Sequence, residues 1–93
     1  MILSFNDKLT EAVWSGRVGK GFPAELVRVA QRKLAMLNAA VTLDSLRVPP
    51  ANRLEALKGD RAGQHSIRIN DQFRLCFIWR DGNASDVEIT DYH

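Results

Sequence analysis

The stretch HSIRINDQFRLCFIWRDGNASDVEIT, residues 65–90, decides how this chain folds. Its apolar side chains recur at every second position in three runs: His65, Ile67 and Ile69; Phe73, Leu75, Phe77 and Trp79; Val87 and Ile89. A period of two marks strands buried on one face. Residues directly opposite in an antiparallel pair point to the same face. Pairing Ile69 with Phe73 and Ile67 with Leu75 leaves Asn70-Asp71-Gln72 as a three-residue loop. A two-residue Asn70-Asp71 turn is rejected, because it would drive Arg74 into the core, costing several kcal/mol for an unpaired charge. By the same rule Trp79 pairs with Ser85 and Phe77 with Val87, around a three-residue Asp81-Gly82-Asn83 loop. The opposite face then sets Arg68 against Arg74, Ser66 against Cys76, Cys76 against Glu88 and Arg74 against Thr90, with Tyr92 facing Gln72. Two arginines placed opposite each other repel unless an anion lies between them. That anion is Glu88 or a phosphate.

Upstream, the period changes. Met1 to Phe5 reads as a short buried strand, and Asn6 or Asp7 as the cap of a helix whose stripe is Leu9, Ala12 and Val13, with Gly16 near its end. Arg17 to Phe22 reads as a loop. Pro23 suits a first helical position. Leu26, Ala30, Leu34 and Leu37 then form an apolar stripe, widened by Val27 and Val29, with Arg28, Gln31 and Arg32 on the other side. This helix should stop near Ala39 or Ala40. Residues 42–53, with Pro49-Pro50, form an extended connection with one helical turn around Leu43 to Leu46. The expected class is α+β: two N-terminal helices on one face of a mainly antiparallel sheet.

Ninety-three residues suit one domain spanning 1–93, with a thin core. No apolar run reaches the roughly 18 residues of a membrane span, and the N-terminus lacks a secretory pattern. A cytoplasmic protein without membrane association is expected. The lone Cys76 excludes an internal disulfide. The net charge of +2 conceals an asymmetry, because residues 46–80 carry seven cations against three acids, and residues 81–93 carry four acids and no cation. Such a split fits either a polyanion-binding surface beside acid/base groups or charge pairs across adjacent strands.

Asp91-Tyr92-His93 crowds a carboxylate, a phenol and an imidazole, three groups able to move a proton. His65 lies in the apolar phase and reads as a satisfied, half-buried histidine. No metal site is expected from Asp91, His93 and His65, whose spacing matches no standard ligand set. Lys58-Gly59-Asp60-Arg61 offers two cations and a glycine to a phosphate but lacks the frame of a nucleotide-triphosphate loop. Trp14, Trp79 and Phe22 are the aromatics considered for base stacking, although Trp79 falls in the core phase.

Asn52-Arg53-Leu54-Glu55-Ala56-Leu57-Lys58-Gly59-Asp60-Arg61, then Gly63 to Asn70, Phe73-Arg74-Leu75-Cys76-Phe77 and the ending Asp91-Tyr92-His93, resemble the HigB toxins of the RelE/ParE superfamily, including the GraT subgroup. Ser4-Phe5 and Arg32 to Leu37 fit as well. The resemblance implies a compact RelE-like fold and a type II toxin: a ribosome-dependent endoribonuclease that cleaves mRNA in the ribosomal A site and inhibits translation. It implies attack of the ribose 2′-hydroxyl on the adjacent phosphodiester, with no metal and no cofactor. It also implies a HigA-like helix-turn-helix antitoxin, the 70S ribosome and its mRNA as partners, and operator DNA bound only through the antitoxin complex.

Carried onto this sequence, Arg74 matches the arginine that supports the phosphate, and Asp91, Tyr92 and His93 match the catalytic tail. His93 is assigned proton transfer, Tyr92 stacking or proton transfer, and Asp91 the orientation of its neighbours. Arg53, Lys58, Arg61 and Arg68 are the expected RNA-backbone cations. Glu55 stands where some relatives carry histidine, so Glu55, His93, Tyr92 or Asp91 is the general base. Two other functions share the fold: inhibition of DNA gyrase in the manner of ParE, and a non-catalytic corepressor of the antitoxin.

Overall fold

The computed structural model describes residues 1–17 and 21–92. Of the loop expected over Arg17–Phe22, positions 18–20 lie outside the described residues. Helix α1 covers Lys8–Ser15 and helix α2 Val27–Ala39. Strands β1 (Glu55–Ala56), β2 (His65–Arg68), β3 (Phe73–Arg80) and β4 (Asn83–Asp91) form an antiparallel sheet in that order. Both helices pack on one face, where Val13, Ala30, Leu34 and Leu37 meet Ile67, Leu75, Phe77, Val87 and Ile89. No helix among the described residues is long and apolar enough to cross a membrane.

Asp7 caps α1, its carboxylate accepting from the Thr10 backbone N–H at 2.8 Å. Thr10, fully buried, accepts from the Ile89 N–H at 2.8 Å and so ties α1 to β4. Pro23 lies outside the long helix instead of opening it: a 3₁₀ turn, Ala24–Leu26, intervenes, closed by Leu26 N–H to Pro23 C=O at 3.0 Å. The connection after α2 contains a 3₁₀ turn at Leu43–Arg47 and another at Pro50–Asn52.

The first hairpin has the expected register, Ile67 opposite Leu75 and Arg68 opposite Arg74. Its loop is organised by Asn70, whose side-chain oxygen accepts from the Gln72 and Phe73 N–H groups at 3.0 and 2.7 Å. The second hairpin corrects the expectation. Arg80 faces Asn83, Trp79 faces Ala84 and Ile78 faces Ser85, so the turn is the two residues Asp81-Gly82. Both have positive φ, 54° and 78°, which suits the mirror-image turn that Asp-Gly favours. The odd residue demanded by the phase of the apolar side chains sits inside β4. Asp86, at φ 51°, is the extra residue of a bulge between Cys76 and Ile78, after which Cys76 faces Glu88 and Leu75 faces Ile89.

That bulge also changes the N-terminus. Residues 1–5 run parallel to β4 but form only two isolated bridges, Ile2 with Ala84 and Phe5 with Val87. They are not a buried strand. Met1 and Leu3 are exposed, while Ile2 and Phe5 are half-covered. The Ser4 hydroxyl accepts from the Asp86 N–H at 2.8 Å, satisfying the bulge and closing the sheet edge.

Lys33 on α2 is buried, although the helical pattern gave no reason for it. Its ammonium donates to the side-chain oxygen of the fully buried Asn52, which in turn donates to the Leu46 carbonyl at 3.1 Å. This contact pins the Pro50–Asn52 turn to α2. Burial, with the neighbouring charges of Arg32 and Arg68, holds the Lys33 pKa below its ordinary value. The unfolded chain therefore binds the extra proton between the lowered value and 10.5, and the stability contributed by this site rises with pH across that interval. Asn52→Ala leaves the ammonium without its acceptor and should cost about 2 kcal/mol. In urea titrations the double variant with Lys33→Met should lose less than the sum of the two single changes; additive losses would show the two residues to be uncoupled.

Candidate active site

Arg74 is built into the outer face of the sheet, as the second residue of β3. Its Nε–H donates to the Ser66 hydroxyl at 2.7 Å, and its Nη2 donates to the Arg53 carbonyl at 2.6 Å, with a longer bond of 3.4 Å to the Ser66 carbonyl. All three acceptors are neutral oxygens, so the guanidinium is oriented without being neutralised. Ser66 has no exposed surface and lies one diagonal step from Arg74 across β2 and β3. Arg53 adopts a left-handed conformation, φ 45°, where the Pro50–Asn52 turn ends. That conformation accompanies the carbonyl's aim at Arg74.

A cleft of about 390 Å³ opens over this arginine, lined by Arg53, Glu55, Arg68, Asn70, Asp71, Arg74 and Tyr92. It brings together three of the basic residues expected to hold a phosphate and two of the four candidate proton-transfer groups, Glu55 and Tyr92. Arg68 makes an ion pair with Asp71, whose side chain is almost wholly in solvent. Such an exposed pair is worth at most about 1 kcal/mol, so an entering phosphate can take over the guanidinium. Glu88 does not lie between Arg68 and Arg74. It pairs with Arg61 at 3.1 Å and accepts from the Asn6 amide at 3.2 Å.

The remaining candidates sit elsewhere. Arg61 also bonds Gln64 at 3.1 Å, and its pKa is raised, first by its hydrogen bond to Glu88. Lys58 is exposed just before the 3₁₀ turn Gly59–Arg61, and neither residue lines the cleft. Asp91 accepts from the Gln72 side-chain amide at 3.0 Å on the strand that leads to Tyr92. His93 lies outside the described residues. His65 is half-buried and stacks on Phe77 at 6.3 Å, but its Nδ1 is buried with no hydrogen-bond partner among the described residues, so it is not the satisfied histidine expected. Of the aromatics considered for stacking, Phe22 is buried against Phe73 at 5.3 Å and Trp79 is packed edge-on to Phe77. Tyr92 is the aromatic that faces the cleft.

The Tyr92 hydroxyl lies 3.7 Å from Sγ of the fully buried Cys76. Partial burial first, then the contact with Cys76, raises its pKa. The phenol is therefore neutral near pH 7, able to donate a proton or stack but not to act as a phenolate base. Tyr92 is the sole tyrosine, so absorbance titration reads it alone. Its midpoint should lie above the ordinary value of 10.0, and a midpoint at or below the value of the denatured chain would refute the burial. Since the folded chain keeps this proton longer, stability contributed here is present below pH 10 and declines as pH rises past it.

Sequence reasoning placed Ser66 on the correct face but gave it no role. A small polar residue diagonal to an outward arginine was the available signal. The Arg53 carbonyl carried none, because a main-chain acceptor is not written in residue type.

A sequence profile of RelE-like toxins of the type II toxin-antitoxin system HigB matches residues 3–93. The chain belongs to this family. It is 41% identical over 85 residues to Toxin HigB-1 of Vibrio cholerae, covering 90% of each chain. It is 31% identical over 93 residues to Endoribonuclease HigB of Proteus vulgaris, covering all of both. Among solved structures, a histidine-to-glutamine variant of YafQ from E. coli superposes with a TM-score of 0.67 at 11% identity, covering 99% of this chain and 92% of the other. YoeB in the YoeB-YefM complex of Staphylococcus aureus gives 0.59 at 22% identity, covering 100% and 95%. These two share the fold. A HigB-like toxin of a type II system has an antitoxin as its partner.

Proposed function

We propose that this chain, acting as a single domain over 1–93, is the ribosome-dependent mRNA endonuclease of its toxin-antitoxin pair. The observation that carries it is Arg74, charged, fixed by neutral acceptors and standing in a cleft with a carboxylate and a neutral phenol. Cleavage of RNA through its own 2′-hydroxyl asks for those three things. A base removes the 2′-proton as the oxygen attacks phosphorus. The 5′-oxygen leaves with a proton, a 2′,3′-cyclic phosphate remains, and a cation stabilises the added charge on the phosphorane. The nucleophile belongs to the substrate, so no metal or cofactor is needed to generate it.

Arg74 is assigned the scissile phosphate. Glu55, which lines the cleft, is assigned the 2′-proton, with His93 and Asp91 as the other groups for proton transfer and orientation. Tyr92 stacks on a base or donates to the leaving oxygen. Arg53 and Arg68 hold adjoining phosphates. Lys58 and Arg61 lie outside the lining and would meet RNA only beyond the scissile site. The antitoxin is proposed to be a HigA-like helix-turn-helix protein, through which operator DNA is bound, and the site of action is the cytoplasm, at the A site of the 70S ribosome.

Primer extension on translated mRNA after induction should show cuts linked to codons. Growth arrest without such cuts would reject the nuclease, and inhibition of supercoiling by the purified protein would then select the gyrase-directed alternative.

A further inference from the structure

Arg74 has five N–H donors in a rigid plane. The hydrogen bonds described above engage Nε and Nη2, and none of them uses Nη1. A guanidinium gripped along one edge presents the other in a fixed direction. The grip comes from two separate parts of the fold. Ser66 belongs to β2, faces Cys76 on β3 and Glu55 on β1, and is wholly buried beneath the cleft residues of the same face. Water therefore does not compete for its hydroxyl. The Arg53 carbonyl belongs to the connection, held from behind by the buried contact of Asn52 with Lys33.

The chemical type of these acceptors matters as much as their position. A carboxylate at either place would pair with Arg74 and remove the charge that a phosphate must find. A hydroxyl and a peptide carbonyl fix direction and leave the charge intact. Ser66 is also small, so the guanidinium can lie over the sheet instead of being pushed into solvent.

We propose that Ser66 and the Arg53 main-chain carbonyl are positioning groups that aim the Arg74 guanidinium, Nη1 outward, at the scissile phosphate. This rests on the endonuclease function proposed above. Ser66 does not touch the substrate; it acts through Arg74.

A double-mutant cycle tests it, using single-turnover cleavage of mRNA on programmed ribosomes, with ribosome binding and thermal midpoint measured alongside. Ser66→Ala should slow cleavage roughly 10- to 100-fold, the scale of a misplaced catalytic group, while binding and thermal midpoint stay near those of the wild type. In the Arg74→Ala background, Ser66→Ala should have no further effect on the rate. Losses that multiply, or a loss that follows the thermal midpoint, overturn the positioning role. Full activity in Ser66→Ala beside a slow Arg74→Ala also overturns it and leaves the endonuclease function standing. A wild-type chain that cuts nothing overturns both. Ser66→Cys, with similar volume and a weaker acceptor, replaces Ser66→Ala if the latter fails to fold.

Discussion

Arg74→Ala is expected to slow single-turnover mRNA cleavage about 10²- to 10³-fold, the usual cost of removing one preorganised donor to a developing oxyanion. The loss should fall on the rate of the chemical step, since Arg53 and Arg68 still line the cleft and can retain RNA. Arg74→Lys should recover little. A lysine supplies the charge, but its three donors on a flexible stem cannot reproduce a planar fork fixed by Ser66 and the Arg53 carbonyl at once. The thermal midpoint should move by no more than about 5 °C, equivalent to about 1 kcal/mol, because removing the guanidinium that lies over Ser66 lets water from the open cleft reach the two acceptors it leaves. Wild-type cleavage by the alanine variant would remove Arg74 from the mechanism.

Phe77→Ala should produce the largest loss of stability, about 3–5 kcal/mol. Phe77 is fully buried at the point where one residue of β3 faces the two bulged residues of β4. Its ring meets His65 on one side and Trp79 on the other. A domain of this size has a total stability of roughly 5–15 kcal/mol, so the variant should unfold at much lower urea with its slope unchanged. The two substitutions separate cleanly. Arg74→Ala should give a folded chain that does not cut, whereas the folded fraction of Phe77→Ala should cut at the wild-type rate. A midpoint for Phe77→Ala within about 1 kcal/mol of wild type would mean that the bulge repacks.

The face assignment of the sheet was legible because period two leaves few choices. Once Ile67, Leu75, Phe77, Val87 and Ile89 share the helix side, Arg68, Arg74, Glu88 and Tyr92 must share the other. Parity alone, however, does not say where an odd residue sits. Asp81-Gly82 prefers a two-residue turn, and the extra residue moved to Asp86, where the Ser4 hydroxyl receives its N–H. That contact joins positions 82 apart and has no local signature. Lys33 was hidden for the same reason: an amphipathic pattern counts a lysine as solvated, and only the distant Asn52 makes its burial tolerable. The cleft was legible in part. Arg53, Glu55, Arg68, Arg74 and Tyr92 were named by family resemblance and meet there, while Lys58 and Arg61 stand outside its lining.

The pairing of residues 1–5 with β4 has a consequence for the order in which the molecule is made. The opening segment of the chain finds its neighbours only when residues 84–87 exist, and such distant pairings form late. Tyr92, one wall of the cleft, follows the same strand. A chain broken off before β4 still contains Arg74, Ser66 and Arg53, but it lacks the strand on which α1 docks through Thr10. Synthesis thus delivers Arg74 and its acceptors before the strand that docks α1 and carries Tyr92, so an unfinished copy lacks one wall of the cleft.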